Sequence, residues 1–226
     1  MTAILRQETS SIPIVFVFVG DPVGSGYVVS LANPGGNTTG FAVFENSIGG
    51  KWLELLNEVA PGVKRAGFLY HSDAAPNVGF LHAAEGAAPS RGIEVFPLPV
   101  HNAAEIEAGI ATLAQSNCGL IVVPHAVTIG NRDLIVGLAM RHRLPTIYSD
   151  RAFAESGGLL SFGTNIGEMF QRSASYVDRI LRGAKPADLP VQLPTKFEMI
   201  INLKTAKELN FTFPSVMLAR ADELIE

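Results

Sequence analysis

Several polar and aromatic side chains follow apolar segments of the chain, at places where a site for a small molecule could form. They offer hydrogen bonding and aromatic stacking, because they are hydroxyls, amides, rings and a carboxylate without a strong nucleophile. Side chains of these types are typical of binding pockets rather than of catalytic centres. The candidates are Asp21, Pro22, Tyr70, Ser72, Asn77, His125, Tyr148, Ser149, Phe162 and Asn165.

Many of these candidates have a purely structural alternative, which the residues alone leave open. Asp21 and Asn165 could cap the helices that follow them. Tyr70 and Tyr148 could be core aromatic residues with a hydrated hydroxyl. His125 could be an ordinary loop residue.

The short motifs of common catalytic and metal sites do not occur in the sequence. The histidines stand singly, and neither an H-x-x-x-H nor a C-x-x-C pair predicts a metal site. The G-x-S-x-G nucleophile motif, the phosphate-binding Gly-Lys-Ser/Thr loop and the G-x-G-x-x-G motif are also missing. Cys118 is the single cysteine, so an internal disulfide cannot form. We therefore expect neither a metal nor a cofactor.

The composition is that of a globular protein with a sizeable core. Of the 226 residues, 47% are hydrophobic and 17% are charged. The net charge of −4 and the lack of a basic cluster argue against a nucleic-acid partner. The longest apolar stretch, residues 12–19, is interrupted by Pro13 and is shorter than the roughly 20 residues of a membrane span.

The elements that would position the candidates alternate between strand and helix patterns. The β-branched and aromatic run Ile14–Val19 is typical of a parallel strand covered on both faces. The repeated alternation predicts parallel α/β sheets, in which ligands bind beyond the carboxyl ends of the strands. We also expect a short helix at residues 23–32 and a long helix at residues 166–182. The expected inner face of the long helix is Met169, Ser173, Tyr176, Ile180 and Leu181.

Two stretches of sequence resemble the ABC transporter substrate-binding family that includes tryptophan- and tyrosine-binding members. The first stretch combines D-P-V-G-x-G at residues 21–26 with N-P-G-G-N-x-T-G at residues 33–40. The second stretch is Y-V-D-R-I-L-R-G at residues 176–183, followed by K-P-A-D-L-P-V-Q at residues 185–192. Weaker matches at residues 51–56 and 218–226 extend the resemblance over essentially the whole chain.

The resemblance implies an α/β fold of the two-lobed type I periplasmic binding kind, with parallel sheets flanked by helices. Lobe 1 would comprise residues 1–40 and 163–226 with the hinge crossings, and lobe 2 would comprise residues 41–162. Members of the family carry a longer N-terminal region with a signal peptide, which this sequence does not show. We therefore expect an incomplete lobe 1 and, from the family, a periplasmic location.

The function implied is that of a non-enzymatic solute-binding component of an ABC importer. Its lobes would close around a small molecule, expected to be an amino acid with an aromatic or branched side chain. The expected partners are this ligand and the permease subunits, with a homodimer if lobe 1 is incomplete. The resemblance assigns the site residues Asp21, Pro22, Asn37, Thr38 and Thr39 to lobe 1, and Tyr70, Ser72 and Asn77 to lobe 2.

Two functions of other classes stay open at this point. A small α/β enzyme, an isomerase or a hydrolase, could use Asp21 or His125 as a base. A nucleophile lying beside a base at the site would favour such an enzyme. A cytoplasmic ligand-sensing lobe is the other alternative, and a fused DNA-binding or signalling domain would favour it.

Overall fold

A computed structural model describes residues 2–43, 45–114 and 117–226. These residues form an α/β protein, which confirms the predicted class. The strands are β1 (Ile14–Val19), β2 (Thr38–Ala42), β3 (Arg65–Tyr70), β4 (Glu94–Pro99), β5 (Cys118–Val122), β6 (Thr146–Tyr148), β7 (Leu160–Thr164), β8 (Phe197–Asn202) and β9 (Glu223–Ile225). The helices are α1 (Thr2–Glu8), α2 (Ile48–Val59), α3 (Ala75–Ala87), α4 (Ala103–Ala111), α5 (Ala126–Gly130), α6 (Arg132–Arg141), α7 (Arg151–Glu155), α8 (Ile166–Leu181), α9 (Leu203–Leu209) and α10 (Ser215–Arg220).

The chain divides into two compact units. Unit 1 comprises Met1–Glu45 and Thr164–Phe197, and unit 2 comprises Asn46–Gly163 and Glu198–Glu226. The C-terminal residues therefore group differently from the division expected from the sequence, which placed 163–226 together with 1–40. The physical reason is strand pairing, because β8 and β9 extend the sheet of unit 2. The amide of Asn202 donates to the carbonyl of Leu159 at 3.0 Å, which ties β8 beside β7.

Unit 1 is built on the parallel pair of β1 and β2. The pair runs from Ile14 opposite Thr38 to Val19 opposite Ala42. A side chain at Gly40 would place its Cβ 2.0 Å from the carbonyl oxygen of Phe16, so the close pairing requires glycine there. The strand β1, which needs a parallel neighbour, thus finds one in β2.

Helix α8 packs on this pair with a narrower apolar face than the sequence predicted. Met169, Ser173 and Tyr176 are buried as expected, and Ile180 packs against the same cluster. Leu181 is 82% exposed, so its assignment to the inner face was wrong. It lies five residues beyond Tyr176, which at about 100° per residue turns its side chain away from that face.

The predicted helix at residues 23–32 is also wrong. The carboxylate of Asp21 accepts a hydrogen bond from the amide of Gly24 at 2.7 Å, and the carbonyl of Pro22 accepts one from the amide of Tyr27 at 2.8 Å. Gly26 has a φ of 67°, which a continuous right-handed helix does not allow. These local bonds make the segment a series of turns.

Unit 2 contains a seven-stranded sheet in the order β4-β3-β5-β6-β7-β8-β9. The first five strands in this order pair in parallel, so their carboxyl ends lie along one edge. Apolar side chains from the helices cover the sheet, and Trp52 of α2 is fully buried. Its indole nitrogen donates to the carbonyl oxygen of Phe162 at 2.7 Å, which joins this helix to β7. Among the described residues, none of the helices combines the length and apolar character that crossing a membrane requires.

The buried Thr39 gives a test of the packing in unit 1. Its hydroxyl donates to the carbonyl oxygen of Leu189 at 2.6 Å, and the residue is 0% exposed. Replacing Thr39 by Val removes the donor and leaves a buried carbonyl unpaired, so we expect Thr39→Val to lower the free energy of unfolding by about 1–3 kcal/mol. Urea denaturation followed by circular dichroism measures this change.

Thr112 provides the matched control, because its hydroxyl also donates to a carbonyl oxygen at 2.6 Å but on an exposed surface. Water can replace that bond, so Thr112→Val should change the free energy of unfolding by less than about 0.5 kcal/mol. Equal losses for the two variants would contradict the interpretation.

Candidate functional site

The carboxyl edge of the sheet in unit 2 carries a row of polar and aromatic side chains. Because the strands are parallel, residues that follow the strands in sequence become neighbours in space. In the order of the strands from β4 to β7, the residues at this edge are His101, His71, His125, Ser149 and Phe162.

Three of these residues form a histidine cluster, made of His71, His101 and His125. The rings of His71 and His125 are stacked, with centroids 4.0 Å apart. The rings of His71 and His101 meet edge to face at 4.8 Å. The sequence separates these histidines widely, and the parallel register of β4, β3 and β5 brings them together.

Asn77 holds the base of this cluster in place. It is buried at the start of α3, where its side-chain oxygen accepts from the amide of His71 at 3.1 Å. Its side-chain nitrogen donates to the carbonyl oxygen of Pro124 at 3.2 Å. Both ends of the amide are used within the protein, so Asn77, a predicted ligand residue, braces two neighbouring loops in this structure.

The outer side of the cluster is a chain of polar contacts centred on His101. Its Nδ1 lies 2.9 Å from the carboxylate of Glu105, and its Nε2 lies 3.0 Å from the hydroxyl of Ser72. The carboxylate of Asp73 is 3.6 Å from the same Nε2. The hydrogen bond to Glu105 raises the pKa of His101 above its ordinary value, and the charge of Asp73 adds to this effect.

His125 has the opposite electrostatic environment. Its Nδ1 accepts from the amide of Val127 at 3.2 Å, which caps α5 and leaves the hydrogen on Nε2. Desolvation lowers the pKa of His125 below its ordinary value, and the nearby His71 and His101 lower it further. The ring therefore contributes a neutral imidazole at neutral pH.

Ser149 and Phe162 lie at the same edge, beyond the histidines. Ser149 is 3% exposed, and its hydroxyl has no hydrogen-bond partner among the described residues. Phe162 is half-buried on β7, whose residue Ser161 is paired with Tyr148 of β6. Tyr70, at the end of β3, is also half-buried.

Tyr148 does not reach this edge. The residue is 1% exposed, and its ring stacks on Phe153 with centroids 4.9 Å apart. Burial raises the pKa of its hydroxyl strongly. Tyr148 is therefore a core aromatic residue, as its structural alternative describes, and its stacking on a ligand stays a prediction.

The candidates of unit 1 do not converge on one place. Asp21 and Pro22 follow the carboxyl end of β1, whereas Asn37 and Thr38 lie at the amino end of its parallel partner. The two groups are therefore separated by about the length of a strand, roughly 15 Å. Parallel pairing puts the start of one strand beside the start of the other, so the two groups do not meet within unit 1, and their part in ligand binding stays a prediction.

Their side chains are also used within unit 1. Asn37 donates to the carbonyl oxygen of Ile12 at 2.7 Å, and the hydroxyl of Thr38 lies 3.3 Å from the Asn37 side-chain oxygen. Asn165 caps α8, because its side-chain oxygen accepts from the amide of Glu168 at 2.8 Å. The observed contact of Asn165 is therefore the helix cap that the sequence analysis gave as its alternative role.

A concave region at the other end of the unit 2 sheet is separate from this edge. It is a cavity of about 600 Å³ at the amino ends of the strands. Its lining includes Val59, Val63, Asn117, Leu144, Pro145 and Phe211. The predicted site residues do not line it, so we place the candidate site at the carboxyl edge.

Comparison with known proteins identifies the family. The family model described as ABC transporter substrate binding protein matches residues 1–225. The chain belongs to this family. It is 26% identical over 204 residues to the tyrosine-binding protein of Clostridioides difficile, covering 90% of this chain and 59% of that protein. The chain thus spans less than two thirds of the length of this curated relative.

Solved structures of similar proteins show the same fold. A domain from Streptococcus pneumonia in complex with L-Trp has a TM-score of 0.90 and 26% identity, covering 99% of this chain and 75% of that one. A conserved domain protein from Vibrio cholerae has a TM-score of 0.89 and 27% identity, with the same two coverages. The predicted fold, of the type I periplasmic binding kind, is confirmed.

The candidate site also contains residues that our sequence analysis did not select. They are His71 and, on the outer side of the histidine cluster, Asp73, His101 and Glu105. His101 follows the end of β4. The useful signal was the position of His101, since it follows a strand just as His71 and His125 do.

The two pKa shifts give a prediction for the histidine cluster. We expect His101 to titrate at a higher pH than His125, because a carboxylate stabilises the protonated form of His101 while burial and neighbouring imidazoles oppose protonation of His125. Proton NMR of the imidazole resonances during a pH titration measures both values.

Two variants identify the His101 resonance and test the cause of its raised pKa. Glu105→Gln should lower the pKa of His101, whereas Glu107→Gln, which alters an exposed carboxylate on the same helix, should leave it unchanged. If His125 titrated above His101 in the unaltered protein, the electrostatic description would be wrong.

Proposed function

We propose that this chain binds an amino acid with an aromatic or branched side chain and serves as the solute-binding component of an ABC importer. The observation that carries the proposal is the state of the polar atoms at the carboxyl edge of unit 2. Among the described residues, three buried side-chain polar atoms have no hydrogen-bond partner: Arg65 Nε, His71 Nδ1 and Ser149 Oγ. Arg65 Nε still has an ionic partner, since it lies 3.2 Å from the Glu94 carboxylate.

The other two atoms, on His71 and Ser149, both belong to the candidate edge. A buried polar group without a partner is costly, and a ligand that supplies the missing hydrogen bond relieves this cost. Phe162 offers an aromatic surface beside Ser149, which suits an apolar side chain. An edge with hydrogen-bonding groups at fixed positions and an aromatic ring nearby fits an amino acid better than a purely apolar ligand.

The comparisons support this ligand class. One relative is named as a tyrosine-binding protein, and one solved relative is described in complex with L-Trp. Proteins of this family work with ABC permeases and are typically extracellular or periplasmic, so we propose a permease partner and a periplasmic location. The closure of two lobes around the ligand and the homodimer stay predictions.

Ser149 provides the test of the binding site. Calorimetric titration of L-tryptophan, L-tyrosine and L-leucine into the protein should give binding heat, whereas D-galactose should give none. Ser149→Ala should weaken amino-acid binding about fivefold, as expected for the loss of one hydrogen bond. The same variant should not lower the free energy of unfolding, because it removes an unpaired buried hydroxyl.

Ser156→Ala is the matched control, since Ser156 is exposed and precedes the amino end of β7. It should leave amino-acid binding unchanged. Binding of galactose but not of the amino acids, or equal binding by the Ser149→Ala variant and the unaltered protein, would overturn the proposal.

A hydrolase is the second candidate function, because His101 is within hydrogen-bonding distance of Ser72 on one side and of Glu105 on the other. The distances of 3.0 Å and 2.9 Å match the order of nucleophile, base and orienting carboxylate in acyl-transfer enzymes. Asp73 opposes this function, since its carboxylate is 3.6 Å from His101 Nε2 and 3.5 Å from the Ser72 hydroxyl. A negative charge there disfavours the oxyanion of a tetrahedral intermediate.

We therefore expect no esterase activity that depends on Ser72. A fluorophosphonate probe should leave Ser72 unlabelled, and hydrolysis of p-nitrophenyl acetate should proceed at the same rate with Ser72→Ala. Mass spectrometry of the labelled protein and a spectrophotometric assay measure the two outcomes. Labelling of Ser72, lost in the Ser72→Ala variant, would establish the hydrolase instead.

A further inference from the structure

We propose that His71, Asp73 and His101 bind a divalent transition-metal ion, for which Zn²⁺ is the probe. The three residues come from the loops that follow β3 and β4. Each offers one ligand atom, and these atoms all lie within 4.8 Å of one another. The inference goes beyond the proposed function, because these three residues can bind a metal ion without an amino-acid ligand, although His71 also belongs to the edge where we propose amino-acid binding.

The pairing of β3 with β4 places the ligands side by side. Tyr70 at the end of β3 is opposite Pro99 at the end of β4, so the residues just beyond these strand ends become neighbours. The backbone amide of His71 is held by Asn77, and its ring stacks on His125. The backbone at His71 is therefore held in place by the buried side chain of Asn77.

His101 is oriented as metal-ligating histidines usually are. Its Nδ1 donates to the carboxylate of Glu105 at 2.9 Å, and that carboxylate also accepts from the backbone amide of His101 at 2.9 Å. Asn102 donates to the second oxygen of the same carboxylate at 2.7 Å. A carboxylate that holds one imidazole nitrogen fixes the ring and leaves the other nitrogen as a ligand. Here that nitrogen is Nε2, which faces Asp73.

Two further features favour a cation at this place. The ring of His71 has a buried Nδ1 with no hydrogen-bond partner among the described residues, so its tautomer is not fixed by the protein. The side chain of Asp73 is 77% exposed and supplies a negative charge beside two imidazoles. This charge opposes an oxyanion but attracts a cation, so it favours metal binding over hydrolysis in the same cluster.

The type of ligand indicates the class of metal. Two imidazoles and a carboxylate suit Zn²⁺ and neighbouring transition metals, whereas Mg²⁺ and Ca²⁺ prefer oxygen ligands alone. A site with three protein ligands leaves a coordination position for water or another small ligand. His125 is not among the ligands, because its Nδ1 is used to cap α5, and it instead forms a wall behind His71.

The test uses the 226-residue protein without a polyhistidine tag and without any amino acid present. Calorimetric titration with Zn²⁺ should show one site per chain, and Co²⁺ should give visible absorption bands of a coordinated ion. His71→Ala, His101→Ala and Asp73→Asn should each weaken Zn²⁺ binding at least about tenfold. Glu105→Gln should weaken it about tenfold by releasing the His101 ring, without removing a ligand.

Matched controls separate this site from other surface groups. His82→Ala removes an exposed histidine on α3, and Asp133→Asn removes an exposed carboxylate on α6, so both should leave Zn²⁺ affinity unchanged. Circular dichroism confirms that each variant is folded. Absence of Zn²⁺ binding by the unaltered protein, or unchanged affinity in His71→Ala and His101→Ala, would overturn the proposal. Because the titration contains no amino acid, either result leaves the proposed transport function to be judged by its own test.

Discussion

The candidate site depends on a single buried amide, that of Asn77. Its oxygen accepts from the amide of His71 and its nitrogen donates to the carbonyl oxygen of Pro124, so it joins the loops that follow β3 and β5. These strands are neighbours in a parallel sheet, and the side chain of Asn77 adds to the backbone hydrogen bond from Val123 to Leu69 near their carboxyl ends. Because both hydrogen-bond partners of Asn77 are backbone groups, Asn77 fixes the path of the two loops independently of the side chains at the edge. The two loops that Asn77 joins carry the stacked rings of His71 and His125.

The same arrangement explains why the pKa values of His125 and His101 shift in opposite directions. Burial and two neighbouring imidazoles oppose protonation of His125. His101 is exposed, and the carboxylate of Glu105, followed by that of Asp73, favours its protonated form. The carboxylates of Asp73 and Glu105 therefore lie at the His101 end of the edge, where they favour a positive charge, either a proton on the imidazole or a cation bound in its place.

Much of the fold could be predicted from the sequence, because it depends on local patterns. The apolar run at Ile14–Val19 indicated a parallel strand, and the alternation of strand and helix indicated the α/β class. The same patterns placed Ser149 and His125 directly after buried strands, where the structure has them at the candidate edge. These predictions succeeded because periodicity and strand ends are properties of adjacent residues.

The rest depended on three-dimensional contacts that the sequence pattern does not show. Phe153 is five residues from Tyr148, yet no local pattern shows that its ring stacks on Tyr148 in the core. Likewise, the turn at Asn37 resembled a binding loop until pairing with β1 placed it at the amino end of the strands. The grouping of His101 with His71 needed the order of the strands, because a long stretch of chain that includes helix α3 and strand β4 separates them.

The two units use their polar side chains in different ways, and this difference bears on where a ligand would bind. In unit 1, the hydroxyl of Thr39 and the amide of Asn37 are bonded to backbone carbonyls, and Asp21 closes its own turn. Groups engaged in this way cannot be offered to a ligand without losing a bond that the fold uses. In unit 2, His71 and Ser149 keep buried polar atoms without a partner among the described residues. These two unpaired atoms support our proposal that the ligand binds at the edge that β3 to β7 build.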